Sequence, residues 1–480
     1  MPHLFVGGLD VESEANATVL VSNPANQEPI GRCPAANARD VEKAALTAQR
    51  AFEDTWSGTT PAERAKYLLE LSDAIRQEAE DLAILESLQT GKTYREVIQR
   101  DVHRASRILR HFAGWAGKFP GETHELGRGL TGAVRKDPYP VIAASLPWST
   151  AFASAASKVG AALALGSTII LQPPEQAPLT VLKLGEIARE VGVPPGVLNV
   201  LTGSGHSTAE ALANSPIVSA MSFAGSIETS RRMLLGAAKS NLKPVHLELG
   251  DKTACIIFED ADRRAAIDAI CASIFTSRCV LPTAACRVLV HERHYEEVAS
   301  TLSARAKEIL VADPLDEHTE LGPMISAAHL KRVMAYVELG RREGAKLVAG
   351  GQRDSEGAKA RGAYMRPTVF VDARPDMRIA QEEIAGPVVV LMPFKSEDEA
   401  AVLANGTDYG LAASVWTKDL ARAQRMTQKL QVGLTWINTY DVFDPALPHG
   451  GTKLSGHGRD LGAEGLQQLS RSRTQYISQT

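Results

Sequence analysis

Cys279, Pro282 and Cys286 share one short polar turn within the stretch from Ile274 to Val288. An amphipathic helix runs into it, with Ile267, Ile270 and Ile274 three and four residues apart on one face. An apolar strand, Val288 to Val290, leads out. A turn between helix and strand can present a nucleophile, and a thiol attacks as its thiolate. Cys279 and Cys286 are the candidates. Cys271 adjoins the apolar helix face and reads as core. Cys33 and Cys255 have no catalytic neighbours in sequence. A second chemical feature is Gly225-Ser226, which ends an apolar run and precedes a helical pattern from Ile227 to Ala238. Backbone N–H groups at such a junction suit a pyrophosphate.

The elements that must hold these residues follow from periodicity. From Val141 onward, short apolar runs (Val141–Leu146, Thr168–Gln172, Val197–Leu201, Val218–Phe223) alternate with helical patterns at roughly 150–165, 178–191, 206–213 and 226–238. That alternation predicts parallel βαβ units in a doubly wound α/β sheet, with ligands at the carboxyl ends of its strands. A second α/β set begins near Cys255 and runs to about Ile437, which puts a domain boundary close to Gly250. Residues 1–37 read as strands and turns. A capping box, Thr60-Pro61-Ala62-Glu63, opens a long helix with an apolar face of Leu68, Leu71, Ile75, Ala79, Leu82 and Leu85 and a stop at Gly91. Lys118 to Pro138 suits an extended arm, and the tail from Ser470 to Thr480 suits an edge strand.

A chain of 480 residues can bury a large core and should hold two or three domains. A net charge of −4 with interspersed signs gives no reason to expect nucleic acid or a membrane surface as partner. The five cysteines have no metal-ligand or disulfide spacing, which fits a reducing compartment. Met1 to Asp10 lacks the pattern of a signal peptide. The most apolar window, Ala151 to Leu171, contains Lys158, Gly160 and Gly166, and reads as a buried helix followed by a strand. A soluble cytoplasmic protein is the expectation.

Seven motifs in order carry a resemblance over nearly the whole chain. They are Pro147-Trp148-Ser149, Gln172-Pro173-Pro174-Glu175, Phe223-Ala224-Gly225-Ser226, Leu247-Glu248-Leu249-Gly250, the 274–288 loop, Glu382-Glu383-Ile384-Ala385-Gly386-Pro387 and Pro448-His449-Gly450-Gly451. Together they resemble the aldehyde dehydrogenase superfamily. The resemblance implies an α/β, aldehyde-dehydrogenase-like fold: a Rossmann-type cofactor domain (1–117 and 139–249), an α/β catalytic domain (250–450), and a β-arm and tail (118–138 and 464–480). In the family the arm and tail pair across subunits, so a homodimer or homotetramer is implied. The implied partner is a small-molecule aldehyde. A cysteine thiolate attacks it, hydride passes to NAD(P), and a glutamate activates the water that hydrolyses the thioester.

Carried over position by position, Glu248 matches the general base. The position of the nucleophile is Pro282, which has neither a thiol nor the backbone N–H that the family's oxyanion hole uses. The second oxyanion donor, an asparagine in the family, is Ser149, and Trp148 should lie near the cofactor. Where the family has a lysine on the adenosine ribose, Gln172 keeps a neutral donor. Glu175 could accept from ribose hydroxyls and would repel a 2′-phosphate, so NAD is favoured over NADP. Gly225 and Ser226 match the pyrophosphate turn and Glu383 the nicotinamide-ribose glutamate. Ala385 replaces its aromatic neighbour, and Ala209 the last glycine after Gly203 and Gly205. His449 replaces an aromatic before Gly-Gly and reads as polar surface or a tunnel group. Asp251 replaces the second glycine after Glu248. The implied activity is impaired or absent, leaving a ligand-binding or non-redox role. The alternative is an active NAD-dependent enzyme using Cys279 or Cys286. The segment from Thr439 to Pro448 looks like that of members acting on bulky or aromatic aldehydes.

Overall fold

The apolar runs after Val141 assemble side by side in a computed structural model that describes residues 3–279 and 281–478. Val141–Ser145 and Thr168–Gln172 lie at the centre of a seven-stranded sheet and are buried along their whole length, as parallel strands covered on both faces must be. From one edge the order is Val245–Leu249, Ala220–Gly225, Val141–Ser145, Thr168–Gln172, Leu198–Val200, Leu4–Val6, Leu9–Val11. The first five run parallel, and the N-terminal hairpin adds two antiparallel strands. Helices Ala151–Leu165, Leu179–Glu190, Ser207–Asn214 and Ile227–Lys239 connect the parallel strands. The register sets Glu248 beside Ala224 and Gln172 beside Ser145, so the carboxyl ends of neighbouring strands bring their candidate residues to one rim.

Leu249 leaves this sheet and Ala254 enters a second one of seven strands. Its order is Lys346–Ala349, Thr368–Val371, Val388–Phe394, Arg287–His291, Ala254–Ile257, Ala412–Trp416, Leu434–Ile437, parallel apart from the first edge strand. Helix Arg263–Cys271 passes into a π-helical turn, Ala272–Thr276, directly before the cysteine-bearing loop. That wider turn buries Ile274 and Phe275 beneath it.

The arm forms two strands, Glu122–Gly127 and Leu130–Pro138, and the tail strand Ser470–Ser478 pairs antiparallel with the second of them in the same chain. Residues 479 and 480 lie outside the described part. Leu126, Leu130, Tyr476 and Ile477 are exposed on this small sheet.

One helix differs from expectation. The capping box at Thr60 is formed with both its hydrogen bonds, but the helix ends at Gln77, and a second, Ala79–Thr90, begins after Glu78. Glu78 has ψ 17°, which breaks the helix axis without changing which residues face inward, and apolar spacing cannot register that. Leu85 is only half-buried, and Gly91 closes the second helix at φ 74°. Among the described residues, no helix is long and apolar enough to cross a membrane.

Candidate active site

Glu248 sits on a strand that alternates: Val245, Leu247 and Leu249 are buried, while His246 and Glu248 are half-buried on the other face. Its carboxylate meets Lys158, a residue 2% exposed on the apolar helix Ala151–Leu165. The same ammonium bonds Asp460 Oδ1 at 2.5 Å, and Ser157 Oγ donates to Asp460 Oδ2 at 3.3 Å. Two carboxylates thus share one buried cation. Burial first, then the Asp460 charge, pushes Glu248 up to about 8 against the pull of Lys158. Burial would raise Asp460 too, but Lys158 and a hydrogen bond from Glu248 outweigh it, and its carboxyl falls below the ordinary value. Lys158 is held above its ordinary value by Asp460 and Glu248 although burial works the other way. At neutral pH the charge therefore sits on Lys158 and Asp460, with the proton on Glu248.

In the sequence Lys158 stands out only as a charge within an apolar window, and Asp460 belongs to none of the motifs. A signal was present. A lysine on a helix whose other residues are nearly all apolar must either reach solvent or find a buried carboxylate.

The loop is built differently. Arg278 and Cys279 both have left-handed backbone, at φ 59° and 49°, a conformation costly for residues with a Cβ. Arg278 is fully buried, and its Nη1 donates to the carbonyls of Thr90 and Pro323, each at 2.7 Å. Arg100 adds a bond to Ser277 Oγ and an ion pair with Asp441. Beyond Cys279 the chain makes a β-turn, in which Ala284 N–H donates to the Leu281 carbonyl at 2.9 Å. Pro282 occupies the second position of that turn, where its fixed φ is favourable and an N–H is not required. Its carbonyl accepts from Thr253 Oγ1 at 3.2 Å, and Tyr440 Oη donates to the Thr283 carbonyl at 2.9 Å.

Both cysteines of the loop are buried. Interaction with Cys279 is the main cause that brings Cys286 down to about 7, against burial and with help from Lys252. Cys279 is raised well above the ordinary value, by its interaction with Cys286 and then by burial. Lys252 is 1% exposed, and among the described residues its ammonium has no hydrogen-bond partner. Neither this interaction nor Lys252 was visible in sequence, where the cysteines are separated by a turn. Cys33, Cys255 and Cys271 are buried in the core, and burial pushes them to about 12, 12 and 11.

On the cofactor side, Gln172 differs from expectation. Its Oε1 accepts from Ser145 Oγ at 2.6 Å and its Nε2 donates to the Pro173 carbonyl at 2.6 Å, and the residue is 1% exposed. The amide donor expected for a ribose is used inside the sheet, because an uncharged side chain can turn inward where a lysine would keep its head in water. Glu175 remains half-exposed, and its carboxylate accepts from the Gln176 amide at 3.3 Å. Ser226 is exposed and caps helix Ile227–Lys239 by accepting from Thr229 N, which leaves the first-turn N–H groups without helical acceptors. A dinucleotide therefore fits at its pyrophosphate and one ribose, and not at Gln172.

Glu383 lies against Gly250 so closely that a Cβ there would clash with its carboxylate. Burial raises Glu383, opposed by Arg332 and by the Asp251 N–H that it accepts. The Asp251 carboxylate is buried and bound by Thr253 Oγ1, Ser455 Oγ and the N–H groups of Leu411 and Ala412. Trp148 meets His329 edge-on at 5.1 Å, and His329 Nε2 donates to the Ala385 carbonyl at 2.7 Å. Ser149 is buried just ahead of helix Ala151–Leu165. His449 is paired through its backbone with Asp460 at 2.7 Å, and burial lowers its imidazole. His246, pushed down to about 4 by burial and by Lys158, is neutral.

This pair of seven-stranded sheets, with an acid–lysine–acid cluster at the rim of the first and a cysteine loop entering the second, defines an aldehyde-dehydrogenase-type fold. The chain belongs to the aldehyde dehydrogenase family, whose family model matches residues 11–475. A Bacillus subtilis (strain 168) protein named as an aldehyde dehydrogenase, DhaS, is 36% identical over 476 residues, covering 99% of this chain and 95% of that protein. The crystal structure of PnpE from Pseudomonas sp. WBC-3 is 38% identical with a TM-score of 0.97, covering 100% of this chain and 98% of that one. A Bacillus cereus aldehyde dehydrogenase, solved as its NAD+ complex, is 36% identical with a TM-score of 0.97, covering 100% of this chain and 96% of that one.

Proposed function

We propose that this aldehyde dehydrogenase family member binds NAD and an aldehyde-class small molecule but has lost the covalent step, and serves as a ligand-binding or non-redox protein. The observation that carries this reading is the β-turn closed from Ala284 N to the Leu281 carbonyl, with Pro282 at its second position. A proline there supplies neither sulfur to attack a carbonyl carbon nor an N–H to the oxyanion. Removing one oxyanion donor alone typically costs about 10²–10³ in rate. The other donor position holds the shorter Ser149 side chain.

The cofactor, when bound, supplies a hydride acceptor. The first-turn N–H groups after Gly225-Ser226 would hold its pyrophosphate, Glu175 an adenosine-ribose hydroxyl, and Glu383 the other ribose. The Glu175 carboxylate favours NAD over NADP by repelling a 2′-phosphate. Trp148 reports occupancy: titration with NAD should quench tryptophan fluorescence at lower concentration than NADP. Purified protein given NAD and a panel of aliphatic and aromatic aldehydes should form no NADH. Aldehyde-dependent NADH that vanishes in Glu248→Gln would falsify the proposal.

A second reading has its own observation. Cys279 is a buried thiol three positions before Pro282, in the same loop. If it attacked aldehydes, Cys279→Ser would abolish turnover; turnover retained in both Cys279→Ser and Cys286→Ser ends that reading. Assembly as a homodimer or homotetramer through the arm-and-tail sheet, in the cytoplasm, completes the proposal. Native mass measurement should give two or four chains.

A further inference from the structure

Where the arm-and-tail sheet meets helices of the first half of the chain, a recess of about 410 Å³ is lined by Trp56, Arg64, Arg135, Asp137, Arg471 and Arg473, among others. We propose that this recess binds a small polyanion, a pyrophosphate group free or esterified, between its four guanidinium groups. The strand register gathers three of them. Arg473 stands opposite Arg135, and Arg471 opposite Asp137, in the antiparallel pairing of tail and arm. Cross-strand partners, and residues two apart along a strand, share one face of a sheet. Arg64 joins them from helix Pro61–Gln77.

The charges do not balance. Like charges directly opposite on paired strands are destabilising, yet two arginines stand so here. Among the described residues that line the recess, Asp137 is the only acid. It takes Arg473 Nε at 2.8 Å and has Arg135 Nε at 4.0 Å. Arg64 gives Nε to the Ala164 carbonyl at 3.2 Å and Nη1 to that of Thr59 at 2.7 Å, neutral acceptors that fix its plane and leave its charge. Arg471 is exposed and, among the described residues, makes no ion pair. The chain as a whole is acidic, at −4, so the excess of cations is local. A recess lined by one sign of charge focuses its field, and guanidinium forks match phosphate oxygens.

Trp56 is a second, independent observation. It is fully buried at the wall of the recess, and among the described residues its indole N–H has no acceptor. Buried indole N–H groups usually find a partner, and a ligand oxygen would be one. The exposed apolar residues Leu130 and Tyr476 stand, by the same alternation, on the opposite face of the sheet from the arginines. Assembly through that apolar face leaves the recess open. The inference depends neither on aldehyde turnover nor on NAD.

Full-length protein is titrated calorimetrically with inorganic pyrophosphate at low ionic strength, and in parallel with ADP. The Gly225-Ser226 turn would also accept a pyrophosphate, so the decisive quantity is the difference between wild type and variants. Arg471→Glu should weaken binding about tenfold and leave the NAD titration unchanged. Asp137→Asn, which withdraws the competing carboxylate, should tighten it about threefold, a gain that a merely structural ion pair would not give. If Arg471→Glu does not fold, Asp137→Asn decides alone. ADP binding tighter than pyrophosphate supports an ester as the ligand, and equal binding supports the free anion. No binding, or binding identical in wild type and both variants, overturns the proposal. So does pyrophosphate that splits the assembly in native mass measurement, since an acidic segment of a second copy would then fill the recess. NADH formation is measured separately, so failure here and failure of the functional reading are distinguishable.

Discussion

The cluster of Lys158, Glu248 and Asp460 and the loop that carries Cys279, Pro282 and Cys286 are held together on different principles. In the cluster every charge has a partner, and the pair of acids is neutralised by one lysine and one shared proton. Among the described residues, Lys252 Nζ and, in the loop, the Arg278 Nε and Nη2 atoms have no partners, and two side-chain-bearing residues of the loop take left-handed backbone. The contrast teaches that Glu248 would be retained even without chemistry to do. Breaking a buried ion cluster strands a charge, whereas a proline fits the loop's turn. Persistence of the base residue is therefore weak evidence of turnover.

The largest expected effect tests the cluster. Lys158→Met leaves two acids facing each other and should cost about 3–5 kcal/mol in urea unfolding; a loss below about 1 kcal/mol would mean that the cluster does not depend on its lysine. Arg278→Ala should cost about 2 kcal/mol, because two buried carbonyls lose a charged donor while the strained backbone changes little. A neutral result would show the loop to be independent of its anchor.

The third prediction concerns pH. The Glu248 carboxyl rises from 4.5 to about 8 on folding, so its contribution to stability is complete below pH 4.5 and is lost as pH climbs to about 8. The slope cannot exceed about 1.4 kcal/mol per pH unit for one proton. Wild type should therefore lose stability relative to Glu248→Gln over that window, and parallel pH profiles would refute the shared proton. The smallest effect tests the turn. Pro282→Ala should cost under about 1 kcal/mol, since only the stiffness of the unfolded chain changes. A larger loss would show that proline does more than shape the turn.

Much of this was legible in sequence where a local pattern was enough. The alternation after Val141 located the strands of the first sheet, and the Thr60 box located a helix start. The order of seven motifs pointed to the family. What escaped depended on contacts between distant residues or on the sign of a dihedral. Lys158 finds Asp460 three hundred and two positions away, beyond the reach of any spacing rule. Gln172 was expected as a ribose donor but turns into the sheet, because Ser145 stands beside it in register. The left-handed backbone at Arg278 and Cys279 is a property that side-chain periodicity does not encode.

The bonds of Arg278 to Thr90 and Pro323 carry a consequence for anyone redesigning this protein. Thr90 ends a helix of the first half of the chain and Pro323 belongs to the second, so the guanidinium is a mooring cast to both banks. Grafting sulfur at position 282 changes the cargo while the rope stays tied. Pro282→Cys alone should remain inert, and a gain of aldehyde oxidation should require Arg278→Gly in the same chain, letting the loop swing before its new thiol is asked to react.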